Sequence, residues 1–140
     1  MVCGNFRNKV EPVVLTIMRI AVGVIMAGHG WDKLHNVENI VKAFGSMGLP
    51  HPEIAVYLAI AGELGGGLGL LVGLLTPIAA FGIVCVMLVA ITQVHWSNGL
   101  FAKNNGFEYP LTLLVVALYF IFRGAGPISL DALFCRKKAE

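Results

Sequence analysis

The chain has 140 residues, of which 57% are hydrophobic and 13% charged, and its formal net charge is +2. A soluble domain averages roughly 45 to 50% apolar and about 25% charged residues. Together with a mean hydropathy of +0.80, this composition excludes an ordinary soluble protein and predicts an integral membrane protein of one domain covering residues 1–140. The small positive charge lies mostly near the two ends of the chain, so it gives no reason to expect nucleic acid as a partner.

Four apolar blocks are long enough to cross about 30 Å of hydrocarbon as helices. They cover residues 13–34, 54–75, 77–96 and 109–123. The last block is the shortest and would rise only about 22 Å as a helix. We therefore expect an all-α membrane protein, a four-transmembrane-helix bundle.

The segment between the first two blocks has its own helical pattern. Residues 37–47 place Val37, Ile40, Val41 and Phe44 at helical spacing, with charged residues between them. This spacing predicts a short amphipathic helix in the first outer loop, lying on or dipping into the bilayer surface.

The distribution of basic residues predicts the orientation of the chain. With four spans both termini lie on one side of the membrane, and the basic residues of that side outnumber those of the opposite loops. The first group is Arg7, Lys9, Arg123, Arg136, Lys137 and Lys138, and the second is Lys33, Lys42 and Lys103. Because cytoplasmic segments carry the excess of Lys and Arg, both termini are expected in the cytoplasm.

The second block carries a stripe of glycines. Gly62, Gly66, Gly69 and Gly73 are spaced 4, 3 and 4 residues apart, and the first block offers the small residues Gly23, Ala27 and Gly30. Small residues at this spacing let two helix backbones approach closely within a membrane. The pattern predicts close packing of the first and second spans.

Three ionisable residues lie within or at the ends of the apolar blocks: Arg19, Lys33 and Glu63. A charge inside hydrocarbon is costly unless it has a partner or water, so such residues are candidate functional groups. Measured from the cytoplasmic ends of the predicted helices, Arg19 lies at about 9 Å and Glu63 at about 18 Å, close enough for their side chains to pair. Such a pair is either a structural lock between two helices or the floor of a ligand-binding or proton-handling site.

A second polar layer is expected nearer the outer surface, where His29, Lys33, Gln93 and His95 come from different helices. Donors beside an apolar cavity suit the two carbonyl oxygens of a quinone. His29 and His95 have similar predicted depths, so an axial pair for haem is a less favoured alternative. No His or Cys spacing fixes the ligands of a metal site on one face.

Six short motifs, in this order and spacing, resemble the bacterial DoxX family. They are MRIAVG at 18–23, GWDKL at 30–34, GLP at 48–50, ELGGGLGL at 63–70, GLLTP at 73–77 and GPISLD at 126–131. The resemblance covers residues 18–133. It implies a small four-helix protein of the inner membrane, related to a subunit of a thiosulfate:quinone oxidoreductase and to proteins associated with oxidative stress, with Arg19, Lys33 and Glu63 at the family's charged positions.

Two functions remain open from the sequence. One is a redox-associated accessory subunit that binds a quinone or a similar lipophilic ligand at the charged positions, with a redox partner subunit or a second copy of the chain as its partner. The other is a non-enzymatic scaffold or assembly partner in which an Arg19–Glu63 pair is structural.

Overall fold

The structure, a computed structural model, describes residues 2–137 and the side chains of residues 9–134. Within that range every regular element is helical. The helices are α1 (Val2–His35), α2 (Val37–Ser46), α3 (Pro52–Val72), α4 (Thr76–Asn98), α5 (Glu108–Arg123) and α6 (Leu130–Lys137). The predicted all-α class is confirmed for this part of the chain.

Three helices within the described residues are long and apolar enough to cross a membrane: Lys9–His35 of α1, Pro52–Val72 and Thr76–Asn98. These match the first three predicted spans with small shifts of their ends, except that α1 begins well before residue 13. Helix α5 occupies the fourth predicted block but has only 16 residues. Large apolar side chains are exposed on the outside of the bundle, as lipid contact requires, among them Ile17, Ile78 and Phe122.

Helix α2 lies where the sequence predicts the loop helix. Its apolar side chains, including Ile40 and Phe44, are half-buried, while Glu38 and Lys42 are exposed. Gly48, with φ of 77°, follows it and helps to turn the chain towards α3. Its position at a bilayer surface stays a prediction.

Helices α1 and α3 pack backbone against backbone in antiparallel register. A Cβ atom on Gly23 would meet Leu71, and one on Gly30 would meet Leu64, at less than van der Waals distance, while Gly67 of α3 lies against the backbone of Ala27. Small residues on both helices are therefore needed for this approach. Each step towards the end of α1 is matched by an equal step back along α3.

The predicted glycine stripe of α3 faces a different helix from the one expected. Gly62 and Gly66 lie against Gly82, Ile83 and Ala79 of α4, and Gly69 also approaches Ala79. Gly73 adopts φ of 68° and ends α3, and a Cβ atom there would collide with the Arg19 side chain of α1. The other three glycines of the stripe hold the α3–α4 hairpin together, whereas α1 packs on the opposite face of α3, because residues 3 or 4 apart lie on one side of a helix.

Helix α5 completes the bundle by packing along α4 and contributing to a core shared with α1. Met26, Leu70, Ile83 and Phe120, one from each long helix, are fully buried in that core. At one end of α5, Arg123 pairs with Glu11 of α1 at 2.6 Å. At the other, the Tyr109 hydroxyl lies 3.4 Å from Nε2 of His29.

Candidate functional site

The buried carboxylate of Glu63 is paired with Lys33. The Lys33 ammonium donates to Oε2 of Glu63 at 2.7 Å, and the two side chains are 19% and 6% exposed. The predicted Arg19–Glu63 pair is therefore wrong, because Lys33 holds the position assigned to Arg19.

The helix register explains this correction. Gly30 lies opposite Leu64, so Lys33, one turn further along α1, is level with the turn of α3 that contains Glu63. By the same register Arg19 is level with Leu75, twelve residues and about 18 Å away from Glu63. The sequence estimate halved this separation because it placed the start of the first span at residue 13.

Glu63 lies in a distorted part of its helix. The backbone of α3 widens to a π-helical turn at Ala61–Gly65, and α4 does the same at Ala90–His95. A π-helical turn inserts an extra residue into a helix and is frequent at functional sites. Each distortion contains a candidate residue, Glu63 or His95. The two lie at different levels of the α3–α4 hairpin, because Gly62 packs against Gly82 and Val86 of α4, about ten residues before His95.

Two further candidate side chains, His29 and His95, make polar contacts of their own. The Tyr109 hydroxyl and Nε2 of His29 are in contact, and Nδ1 of His95 lies 2.7 Å from the carbonyl oxygen of Asn105. Because a carbonyl only accepts hydrogen bonds, Nδ1 of His95 carries the proton, and Nε2 of the neutral ring is an acceptor. Tyr109 also feels the charge of Glu63, and we call His29, Lys33, Glu63 and Tyr109 the Lys33–Glu63 site.

These four side chains, and His95 as well, line a single cleft with a volume of about 1310 Å³. The rest of its wall is almost entirely apolar and comes mainly from α3 and α4. Gln93 is exposed and lies outside the cleft lining, so the structure separates it from the other predicted contacts. His29 and His95 both line the cleft but have different polar neighbours, and haem ligation by the two remains an untested alternative.

The other intramembrane cation, Arg19, lies in a separate cluster. It is 3% exposed and donates to the carbonyl oxygens of Leu70 at 3.0 Å and Ile128 at 2.9 Å. Arg19 thereby ties α1 to the end of α3 and to the segment before α6. Its Nε is buried without a hydrogen-bond partner among the described residues.

Asp131 lies beside this tie and fixes the α3–α4 turn. Its two carboxylate oxygens accept the backbone N–H groups of Leu75 at 2.7 Å and Thr76 at 3.0 Å, and its own N–H donates to the carbonyl of Gly73. Burial alone would raise the pKa of Asp131, but these hydrogen bonds and the charge of Arg19 together hold it below its ordinary value. We call Arg19, Gly73, Leu75, Thr76, Ile128 and Asp131 the Arg19 cluster.

Three of the short motifs noted in the sequence meet in the Arg19 cluster: residues 18–23, 73–77 and 126–131. The sequence profile of the DoxX family matches residues 14–96, more than half of the chain. The chain belongs to the DoxX family. The predicted membership is confirmed, and in this DoxX protein Arg19 and Lys33 both have defined hydrogen-bond partners.

The relatives cover nearly the whole chain. It is 30% identical to the Bacillus subtilis protein named "Putative oxidoreductase CatD", over 89% of each chain. It is 27% identical to the Escherichia coli proteins named inner membrane protein YphA, over 86% of this chain and 90% of the relative, and inner membrane protein YqjF, over 93% and 98%. No solved structure matches the chain.

Sequence reasoning did not identify the role of Asp131. The residue stands outside the apolar blocks, and its function as a cap for the first amides of α4 depends on a contact between segments 55 residues apart. The available signal was the GPISLD motif, which joined the family resemblance without an assigned role.

Proposed function

We propose that this DoxX protein is a redox-associated accessory subunit that binds a quinone, or a similar lipophilic ligand, at the Lys33–Glu63 site. The observation that carries the proposal is the buried ion pair in the wall of an otherwise apolar cleft. Ligand sites are typically concave and apolar with a few convergent polar groups.

The residues of the site fit a quinone head. Lys33 has three donors and uses one on Glu63, so it can also donate to a quinone carbonyl. Glu63 accepts through Oε2, and its Oε1 has no hydrogen-bond partner among the described residues. Glu63 can therefore accept a hydroxyl group of the reduced form. A bound quinone would supply two-electron chemistry coupled to two protons, and Glu63 is placed to hold one of those protons.

The proposal includes a four-span topology with α5 as the fourth span. Contacts at both ends of α5 support it, because Arg123 is level with Glu11 and Tyr109 with His29. The stretch of α1 between those two residues rises about 27 Å, so α5 crosses the same layer as α1. With four spans and the excess of basic residues near the termini, both termini lie in the cytoplasm.

The names of the relatives support the location and the redox association. Two are called inner membrane proteins and one a possible oxidoreductase. We propose the bacterial inner membrane for this chain as well, with electrons exchanged through a partner subunit or a second copy of the chain. The lipid bilayer is its immediate surrounding.

The test uses the full chain in lipid nanodiscs. Thermal unfolding midpoints are measured across a series of ubiquinone and menaquinone analogues for the wild type, Glu63→Gln and the control Glu11→Gln, which removes a carboxylate from an ion pair outside the cleft. A ligand that binds only the folded state raises its stability. We expect a saturable rise of the midpoint in the wild type and in Glu11→Gln, and none in folded Glu63→Gln.

A scaffold function is the second candidate, and one observation favours it. The Lys33–Glu63 pair joins α1 to α3 without help from a ligand. A scaffold predicts that Glu63→Gln lowers the unfolding midpoint while no quinone shifts the wild type. That result would refute the quinone proposal.

A further inference from the structure

The cleft is larger than a head group requires, and it has two parts. Its volume of about 1310 Å³ exceeds the roughly 300 to 1,000 Å³ of ordinary small-molecule sites. At the Lys33–Glu63 site the wall includes residues of α1, α2, α3, α4 and α5. Beyond it the cleft follows the α3–α4 hairpin alone, and we call that part the tail groove. Its wall includes Gly65, Leu68, Val72, Ile78, Gly82 and Cys85.

The tail groove runs along the part of the hairpin nearer to its turn. From Gly65 to Val72, and from Cys85 to Ile78, each helix rises about 10 Å. Apolar side chains form its rims: Leu68 is 49% exposed and Ile78 is 68% exposed. The tail groove is therefore open to the hydrocarbon along its side, and the polar residues of the cleft lie outside it, mainly at the Lys33–Glu63 site.

One glycine in the groove has no role in helix packing. A Cβ atom on Gly62 or Gly66 would collide with α4, but one on Gly65 would meet nothing within 4 Å. Gly65 has φ of −65° and ψ of −47°, which any residue adopts. Glycine within a helix costs up to about 1 kcal/mol relative to alanine. Neither packing nor backbone conformation requires this glycine, and the space above it belongs to the cleft.

We propose that the tail groove holds the isoprenoid or alkyl tail of the ligand, so that the substrate class is a long-tailed membrane quinone rather than a short, water-soluble one. This inference rests on the proposed function. Two independent observations point to one ligand: the carboxylate of Glu63, whose side chain is 6% exposed, faces the polar end of the same cleft whose apolar end passes over Gly65. A quinone with a polar ring and a single long tail matches a cleft that has one polar end and one apolar end.

The physical effect of a filled groove is mainly steric. Lipid chains are as apolar as the groove, so moving a tail from bilayer to groove gains van der Waals contacts but little hydrophobic free energy. Tail length alone should change affinity only a few-fold. A side chain placed over Gly65, in contrast, should exclude the tail while the site for the head group remains intact.

The experiment compares Gly65→Leu with the control Gly28→Leu in nanodiscs. Gly28 is also an exposed helical glycine at which an added Cβ atom would meet nothing within 4 Å, but it lies outside the cleft lining. Dissociation constants are measured for benzoquinones with identical, fully substituted rings that carry no tail or a long isoprenoid tail. We expect Gly65→Leu to weaken binding of the long-tailed quinone on the order of tenfold and to leave the tailless quinone unchanged, with both unchanged in Gly28→Leu.

The outcomes separate this inference from the proposed function. If quinones bind but Gly65→Leu treats tailless and long-tailed forms alike, the tail lies elsewhere and the inference is overturned while the proposed function stands. If no quinone binds the wild type, both are overturned.

Cys85 provides a second readout within the groove. It is an exposed free cysteine in the groove wall, so a lipophilic thiol reagent can label it in a variant whose cysteines at 3 and 135 are replaced by serine. A fully substituted ring cannot add a thiol and therefore competes only by occupancy. Protection of Cys85 by the long-tailed quinone alone supports the inference, and equal labelling rates with every quinone contradict it.

Discussion

The two intramembrane cations of α1 have opposite surroundings. Arg19 is 3% exposed and bonded to two backbone carbonyls from distant segments. Lys33 is 19% exposed in its side chain and bonded to a carboxylate at the wall of a large cleft. A charge whose donors are used on backbone in a packed cluster holds structure. A charge with donors to spare beside open space can also meet a ligand.

The two residue types suit these surroundings. The planar guanidinium of an arginine presents donors in several directions and can bridge two acceptors at once, whereas a lysine ammonium is a compact charge on a flexible stem. Arg19 also lies at the carboxyl end of α3, where a cation is favoured by the helix dipole. Lys33 can swing between Glu63 and a ligand without disturbing the backbone.

The sharpest test of this contrast is Arg19→Met. Each hydrogen bond to a charged group contributes about 1.5 to 3 kcal/mol, so loss of both should lower the free energy of unfolding by about 3 kcal/mol or more. Arg19→Lys keeps the charge but cannot bridge the carbonyl oxygens of Leu70 and Ile128 together. Its stability should therefore lie between those of the wild type and Arg19→Met. The measurement is the thermal unfolding midpoint in nanodiscs.

Quinone binding by the Arg19 variants completes that test. Below their lowered midpoints both variants should bind quinone as the wild type does, because the Lys33–Glu63 site is about 18 Å away. Selective loss of binding in a well-folded Arg19→Lys would place Arg19 in the ligand site and remove the distinction between the two regions.

The next largest effect is expected from Lys33→Met. It leaves the carboxylate of Glu63 nearly buried without its partner, and an unsatisfied buried acceptor should lower the free energy of unfolding by about 2 kcal/mol. The double variant Lys33→Met/Glu63→Leu removes both charges and should return to within about 1 kcal/mol of the wild type. Thermal unfolding and quinone titration are measured on both. Equal instability of the single and double variants would show that the two charges are not coupled.

In these two variants, the loss of quinone binding should not correlate with the loss of stability. The single and double variants both lack the Lys33 donor, so both should lose quinone binding although the double variant is nearly as stable as the wild type. A double variant that recovers both stability and binding would assign the pair a purely structural role.

The sequence predicted the helices well because apolar blocks and glycine spacing are local signals. It placed Lys33 and Glu63 among the charged candidates for the same reason. It assigned the wrong partner to Glu63 because pairing depends on how far α1 slides along α3, and that register is set by contacts such as Gly30 with Leu64. The π-helical turns and the cleft likewise arise from packing between helices, which no local pattern specifies.

The smallest effect should come from Asp131→Asn, and its pH dependence is diagnostic. The folded pKa of Asp131 is held below its ordinary value, so its stabilisation is present above about pH 4, the unfolded pKa, and is lost as the pH falls through the folded pKa. Because Asp131 caps the first amides of α4, loss of its charge should cost about 1 kcal/mol at neutral pH. The difference in unfolding midpoint between wild type and variant should therefore shrink on acidification.

Asp32→Asn, at an exposed position, serves as the control and should show a smaller difference at neutral pH. A wild-type advantage that persists unchanged well below pH 4 would mean that the carboxylate charge does not fix the α3–α4 turn. Equal midpoints at every pH would mean that Arg19 holds the cluster together without Asp131.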